Sequence, residues 1–193
     1  MGRLTDSTGF WALMLLTLVC GIGLLILAAW LQPLQQGGRA VRAGDPEPAL
    51  EQYTTATHRF ERLPPLQQIL PRAWTATRVN RYRLLYRLGR YDTLLEEASK
   101  SPALAAARFW SGCVLFRRAV SETDADARHA WLERAGEEFR RALELDPGNW
   151  DSKYNFELTE RLLARMRQKP EPPPNRLLRP RPGQGQPPSR PLG

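Results

Sequence analysis

Cysteine and histidine are scarce in this chain of 193 residues, which contains two of each. Cys20 lies inside a long apolar run, so it cannot form a disulfide with Cys113 between two soluble positions. His58 and His129 are far apart, and neither stands at metal-ligand spacing from Cys, Asp or Glu. We therefore predict no metal and no cofactor, while the two thiols leave the redox compartment open.

Motifs for common enzyme chemistry are also missing. The sequence has no glycine-rich phosphate loop and no serine-nucleophile elbow, and Gly21 and Gly23 fall inside the apolar run, where small residues serve packing. The acidic pairs at 96–97 and 137–138 stand beside basic residues, which is typical of salt-bridged helix surfaces. We expect no catalytic residue and no small-molecule substrate; an enzyme of unknown chemistry is the weaker alternative.

Charged and strongly polar side chains are absent from Phe10 to Leu31. A helix of that length would measure about 33 Å, enough to cross a hydrocarbon core of about 30 Å. Trp11 and Trp30 stand near its ends, where amphipathic rings favour the membrane interface. A cleaved secretory signal has an apolar region of only about 7 to 15 residues, and the sequence at Ala29 matches a cleavage site poorly. We predict one transmembrane helix that acts as an uncleaved signal anchor.

The charges beside this helix point weakly to an orientation. Arg3 is offset by Asp6 on the N-terminal side, whereas Arg39 and Arg42 follow on the C-terminal side. Counting basic residues slightly favours a cytoplasmic C-terminal domain. Very short N-termini often stay inside, however, and domains of this size translocate regardless of charge. The flanking charges thus leave the orientation open.

Composition divides the chain into five segments. We predict a short N-terminal segment at 1–9, the transmembrane helix at 10–31, a juxtamembrane connection that begins the repeat region at 32–44, a helical domain at 45–168 and a tail at 169–193. The tail is rich in proline and arginine and has little to bury, which predicts disorder with polyproline-II character. A basic tail could bind anionic lipid or nucleic acid, but its arginines are sparse and lack interleaved aromatics, so we expect no specific nucleic-acid site.

The domain is predicted to be all-α, because no stretch alternates β-branched and polar residues as a strand does. Helix boundaries fall at recognisable signals. Asp45 can cap a helix that Pro46 opens, Ser101 can cap one at Pro102, and Gly89 and the sequence Asp146 to Asn149 mark turns. The expected result is a series of helix pairs with short joints.

A spacing pattern recurs along the domain. Its clearest copy is A-x3-F-x2-A-x4-P, formed by Ala135, Phe139, Ala142 and Pro147. The same spacing without the proline is formed by Ala49, Tyr53 and Ala56. Small alanines let two helices approach, an aromatic ring fills the gap between hairpins, and proline stops the helix. This pattern resembles the second helix and closing turn of a tetratricopeptide repeat.

A weaker third copy contains Gly89 and Tyr91, but Leu94 replaces the small alanine. The sequence SETDADARHAW, just before the Ala135 copy, must lengthen a helix or form an inserted turn. The segment Trp150 to Gln168 suits a terminal capping helix, with one face formed by Tyr154, Leu158, Leu162 and Met166. The resemblance implies a short, degenerate α-solenoid of about three hairpins plus this cap, with an unrelated helical bundle as the alternative.

In such a solenoid the first helix of each hairpin would line a groove that binds a peptide or protein. The positions implied in the middle repeat are Val79, Arg83, Tyr86 and Arg87. Two arginines beside a tyrosine could pair with a carboxylate, although a solvated helix face is the more ordinary explanation of Arg83 and Arg87. Near the last helix, Lys153 and Asn155 fit either the groove or the chemistry of a helix cap.

The whole arrangement, with its ending LELDPGNWDSKYNFEL, resembles small tetratricopeptide-like proteins that accompany MoxR-type ATPases and von Willebrand A proteins in bacteria. The accessory membrane protein of methanol dehydrogenase gene clusters belongs to that group. The resemblance implies a scaffold in the bacterial inner membrane, with its domain in the periplasm. It also implies a protein partner in or near the membrane, whose complex the scaffold helps to assemble or activate, for example by metal insertion.

Overall fold

The computed structural model describes residues 4–168, and side chains from residue 9 onward. This part of the chain contains eight α-helices and no strand, which confirms the all-α prediction. The helices are α1 (Leu4–Ala43), α2 (Pro46–Arg62), α3 (Pro64–Ile69), α4 (Pro71–Arg87), α5 (Tyr91–Ser99), α6 (Ala105–Ser121), α7 (Ala125–Leu145) and α8 (Trp150–Gln168). The predicted tail at 169–193, and residues 1–3 of the predicted N-terminal segment, lie outside the described residues.

Helix α1 is one continuous helix of 40 residues. Its part from Gly9 to Ala43 is long and apolar enough to span a membrane, and its most apolar stretch is not buried against the rest of the chain. The predicted connection at 32–44 is not a separate joint, because the helix continues through it as far as Ala43. The chain then reverses at Gly44, whose φ of 88° lies in the left-handed region that favours glycine.

The helices form hairpins in chain order, and the first hairpin includes the end of α1. The C-terminal part of α1 packs against α2, α4 against α5, and α6 against α7, while α8 covers α7. Helix α4 also packs against α2 and α6, which links the hairpins into a row. The short helix α3 stands between the first two hairpins. This order is compatible with a helical solenoid of three hairpins closed by a final helix.

The residues of the spacing pattern lie where helices meet. The buried set is Ala49, Tyr53, Ala56, Ala135, Phe139 and Ala142. Leu94, which departs from the pattern, is fully buried all the same. Tyr91 is half-buried at the start of α5, and Pro147 is exposed in the turn after α7. The pattern therefore identified packing positions in both the first and the last hairpin.

Helix boundaries agree with most of the predicted signals. Gly89 has a φ of 72° between α4 and α5, and the turn after α7 ends at Asn149, whose side chain accepts a hydrogen bond from the Ser152 amide at 2.9 Å. Asp45 occupies the N-cap position of α2, but its side chain makes no capping hydrogen bond. The Ser101 prediction was wrong, because α6 begins at Ala105 after a turn.

The sequence SETDADARHAW was predicted either to lengthen a helix or to form an inserted turn, and it does both. Residues 122–124 form a short turn between α6 and α7. Asp124 then caps α7, accepting a hydrogen bond from the Ala127 amide at 2.7 Å. The rest of the segment extends α7 toward its N-terminus, so that this helix reaches 21 residues.

Candidate functional site

The four predicted groove positions on α4 fall into two kinds. Arg83 and Arg87 are exposed, whereas Val79 and Tyr86 are half-buried on the same side of the helix. Arg42, in the last turn of α1, is exposed as well. None of these three arginines pairs with a carboxylate within residues 4–168, and α4 itself contains no acidic residue. We call Arg42, Arg83 and Arg87 the basic face.

Tyr53 joins the two helices that carry the basic face. Burial raises the pKa of its phenol, and the charges of Arg83 and Arg42 act in the opposite direction. Both guanidinium groups are therefore close enough to a single buried ring to affect its titration. Arg42 of α1 and Arg83 of α4 thus both lie near Tyr53 of α2, and Arg87 stands one helical turn beyond Arg83.

Tyr86 lies at the inner edge of this region, inside an aromatic cluster. Its ring centroid is 5.6 Å from that of Tyr91 and 5.4 Å from that of Trp110. Burial raises the pKa of Tyr86, and the nearby Arg117 guanidinium opposes that rise. Its ring packs α4 against α5 and α6, so that Arg83 and Arg87 are the two exposed members of the four predicted positions.

Lys153 and Asn155 on α8 serve local contacts. The Lys153 ammonium lies 5.0 Å from the ring centroid of Trp150, a cation–π arrangement on an exposed surface. The Asn155 side chain donates to the carbonyl of Asp151 at 2.7 Å, within the first turns of the same helix. Neither side chain accepts a hydrogen bond from a free amide at the start of α8, a role that Asn149 fills. The groove assignment of Lys153 and Asn155 stays a prediction.

Cys113 on α6 is half-buried among aromatic residues. Burial raises the pKa of its thiol to about 12, and the Asp151 carboxylate contributes in the same direction. A thiol of that pKa is protonated at neutral pH and is a poor nucleophile. Cys113 is accordingly a packing residue.

A polar cavity of about 460 Å³ lies between α2, α3, α4 and α5. Arg81 donates to Glu97 across it at 2.5 Å, and both side chains are largely buried. Burial raises the pKa of Glu97, while Arg81, Lys100 and Arg78 lower it. Sequence reasoning assigned the 96–97 pair to an exposed surface, which holds for Glu96 and is wrong for Glu97. Because its largely buried charges, Arg81 and Glu97, pair with each other, we interpret the cavity as a structural ion-pair site.

A second cavity, of about 740 Å³, lies at the far end of the domain between the start of α7 and the end of α8. Its apolar lining includes Leu132, Leu162 and Met166, and Arg128 and Arg165 stand at the same site. Leu162 and Met166 belong to the face predicted for the capping helix. Although α8 covers α7, this end of the hairpin row keeps an open groove.

The junction of anchor and domain was not predicted from the sequence. Pro33 lies inside α1 and is buried. Because proline has no amide hydrogen, the carbonyl of Ala29 loses its usual helical partner. Arg59 of α2 replaces that partner: its Nη1 donates to Ala29 O at 3.1 Å and to Trp30 O at 2.7 Å. The ring of Trp30 also meets Phe60 edge-on, with centroids 4.6 Å apart. The sequence analysis placed Pro33 in the connection at 32–44, two residues beyond the predicted transmembrane helix, so no signal in it pointed to this contact.

Within the described residues, no cluster of three or more His, Cys, Asp or Glu side chains could hold a metal ion. No protein-family model matches the sequence. The comparisons with curated proteins and with solved structures likewise give no match. The candidate site therefore rests on the geometry of this chain alone.

Proposed function

We propose that this protein is a membrane-anchored, tetratricopeptide-like adaptor that binds a partner protein beside the bilayer. The observation that carries the proposal is the continuity of α1, which is apolar and exposed over its first part and packed into the first hairpin over its last part. A rigid helix without a flexible joint holds the domain at a short, fixed distance from the membrane. Arg42 lies eleven positions beyond Leu31, which corresponds to about 16 Å along the helix.

The basic face is the proposed contact with the partner. Its exposed guanidinium groups have no carboxylate partner within residues 4–168, and arginine forks pair well with carboxylates. An acidic segment of a protein in or at the membrane is the ligand that this chemistry fits. The rate of such an encounter would depend on salt, because charge complementarity acts mainly through electrostatic steering.

The biological setting is a finer part of the proposal. We place the protein in the bacterial inner membrane with its domain in the periplasm, assisting a MoxR and von Willebrand A system that matures a metalloenzyme. The support is the sequence resemblance, above all the ending LELDPGNWDSKYNFEL. In that setting the chain contributes tethering and contact, and the chemistry belongs to its partners.

Site-specific photo-crosslinking in the cells that make this protein tests the adaptor role. A photoreactive amino acid replaces Arg87 on the basic face or, as the control, exposed Glu51 on α2. We expect a discrete adduct from position 87 that is weak or absent from position 51. The adduct should disappear in the R42E/R83E background but persist with R161E, since Arg161 lies on exposed α8. Equal crosslinking from positions 87 and 51, or an adduct that persists in the R42E/R83E background, would overturn the proposal.

A further inference from the structure

Helices α1 and α2 run antiparallel in a fixed register. The ring of Tyr53 lies against Gly37, and the ring of Phe60 lies against Trp30. Phe60 follows Tyr53 by seven residues along α2, and Trp30 precedes Gly37 by seven residues along α1. Both contacts therefore fit the same antiparallel register. Continued to the end of α2, that register brings Leu63 level with Leu27, which belongs to the apolar run. The α2 to α4 connection therefore lies at the height of the predicted membrane boundary.

That connection carries apolar side chains that the domain does not cover. Leu63 is 48% exposed and Ile69 is 67% exposed. Leu63 immediately precedes α3, and Ile69 is its last residue. The Gln67 side chain holds α3 against α2 by donating to the carbonyl of Phe60 at 3.0 Å. Two exposed arginines, Arg62 and Arg72, stand at its two ends. We call residues 62–72 the interfacial segment.

We propose that the interfacial segment lies in the headgroup region of the leaflet from which the domain emerges, with Leu63 and Ile69 reaching the acyl boundary and Arg62 and Arg72 beside lipid phosphates. The inference rests on the proposed membrane anchoring. Apolar side chains with flanking basic residues favour this position, at a depth of about 5 to 10 Å. Trp30 and Trp74, on either side of Phe60, supply the amphipathic rings typical of the same level.

The register favours lipid, not a protein, as the surroundings of the interfacial segment. A surface at the height of Leu27 faces whatever surrounds the apolar run, and the exposure of that run from Phe10 to Ile26 fits acyl chains. The basic ends of the segment complement anionic phosphates. Two attachments, the helix and the interfacial segment, would fix the tilt of the domain and so the direction in which the basic face points.

Fluorescence quenching by lipid measures the depth of each position. Full-length protein with Cys20→Ala receives one new cysteine in place of Leu63, Ile69, Leu25 or Val120, and an NBD label. Cys113 is retained because its buried thiol, with a pKa of about 12, resists labelling. Protein without an added cysteine measures the residual labelling of Cys113. Each protein is placed in vesicles of phosphatidylcholine and phosphatidylglycerol with or without doxyl-labelled lipid. Val120 is the matched control, since it is 66% exposed on α6.

We expect labels at 63 and 69 to lose fluorescence in doxyl vesicles nearly as strongly as the label at 25, and the label at 120 to lose little. If 25 is quenched while 63 and 69 behave like 120, this inference is overturned and the anchoring stands. If 25 itself is not quenched, the anchoring fails and the inference fails with it. All four positions are exposed, and helical circular dichroism confirms that each variant is folded before it is compared.

Discussion

The ring of Phe139 lies directly on Gly112, so that a Cβ atom added to the glycine would stand 2.6 Å from Cε1 of the ring. The first hairpin repeats this contact, because a Cβ on Gly37 would stand 2.9 Å from Cε2 of Tyr53. In both hairpins a glycine of the first helix receives an aromatic residue of the second. The aromatic residue of the spacing pattern, Tyr53 or Phe139, thus packs on a glycine in the preceding helix of its hairpin.

Gly112→Ala should destabilise the domain by about 1 to 3 kcal/mol, the usual cost of overpacking a close-packed core. Phe139 is fully buried and touches Phe109, so its ring has little room to retreat. Thermal unfolding of the full-length protein in detergent, followed by circular dichroism, measures the change.

Gly136→Ala is the matched control on the neighbouring helix. Gly136 is also buried, but a Cβ there would meet Thr159 at an ordinary 3.5 Å. The gain in helix propensity should then leave stability unchanged or raise it by up to about 1 kcal/mol. Equal effects at the two glycines would show that the Phe139 contact is not what matters.

The contact of Arg59 with Ala29 predicts a coupled pair of substitutions. Arg59→Met leaves the Ala29 carbonyl without a partner, since Pro33 has no amide hydrogen, at a cost of about 1 to 3 kcal/mol. In a Pro33→Ala background the amide of residue 33 can bond that carbonyl, and the same change should cost about 1 kcal/mol less. A double-mutant cycle on unfolding free energies measures this coupling; purely additive effects would argue against the assigned role of Arg59.

How far the sequence predicts the structure depends on how local each signal is. The apolar run, the turn at Gly89 and the alanine and aromatic spacing each act over a few residues, so the helices and much of the core could be predicted. The contacts of Gly112 with Phe139 and of Arg59 with Ala29 join separate helices. Which residues of two helices lie opposite each other is decided by how the helices pack, and a single sequence does not reveal that packing.

The candidate site shows the same limit. The exposure of Arg83 and Arg87 agrees with their position on one helix face, but the nearness of Arg42 depends on how α1 meets α4 over Tyr53. Tyr86 shares that helix face and still packs against Trp110, because α6 lies beside it. Glu96 and Glu97 are adjacent in sequence and differ in burial, since α5 turns only the second toward Arg81.

That pair of glutamates gives a direct comparison. Glu97→Ala leaves the largely buried Arg81 charge unpaired and should cost about 3 to 5 kcal/mol. Glu96→Ala removes only an exposed ion pair with Lys100 and should change stability by less than about 1 kcal/mol. Denaturant unfolding of both variants provides the test, and similar costs would mean that Glu97 is not buried as described.

Cys113 makes stability depend on alkaline pH. Burial raises the pKa of its thiol from 9.0 to about 12 in the folded protein. Because the folded pKa lies above the unfolded one, the contribution of this group is complete below pH 9 and is lost as the pH rises toward 12. Cys113→Ala should therefore flatten the profile of unfolding free energy against pH between pH 9 and 12.

Alkylation gives an independent check on that thiol. Native protein at pH 8 should react with iodoacetamide far more slowly at Cys113 than protein unfolded in denaturant, because the thiolate is the reactive form. Rapid modification of the folded protein, or a Cys113→Ala profile that matches the parent, would contradict the burial of this residue.

The central claim is that α1 anchors the domain in a membrane, and alkaline carbonate extraction of membranes from the native cells tests it most directly. We expect the protein to stay with the membrane pellet, at a mass that retains residues 10–31. Release into the supernatant, or a mass that shows loss of that segment, would contradict the account.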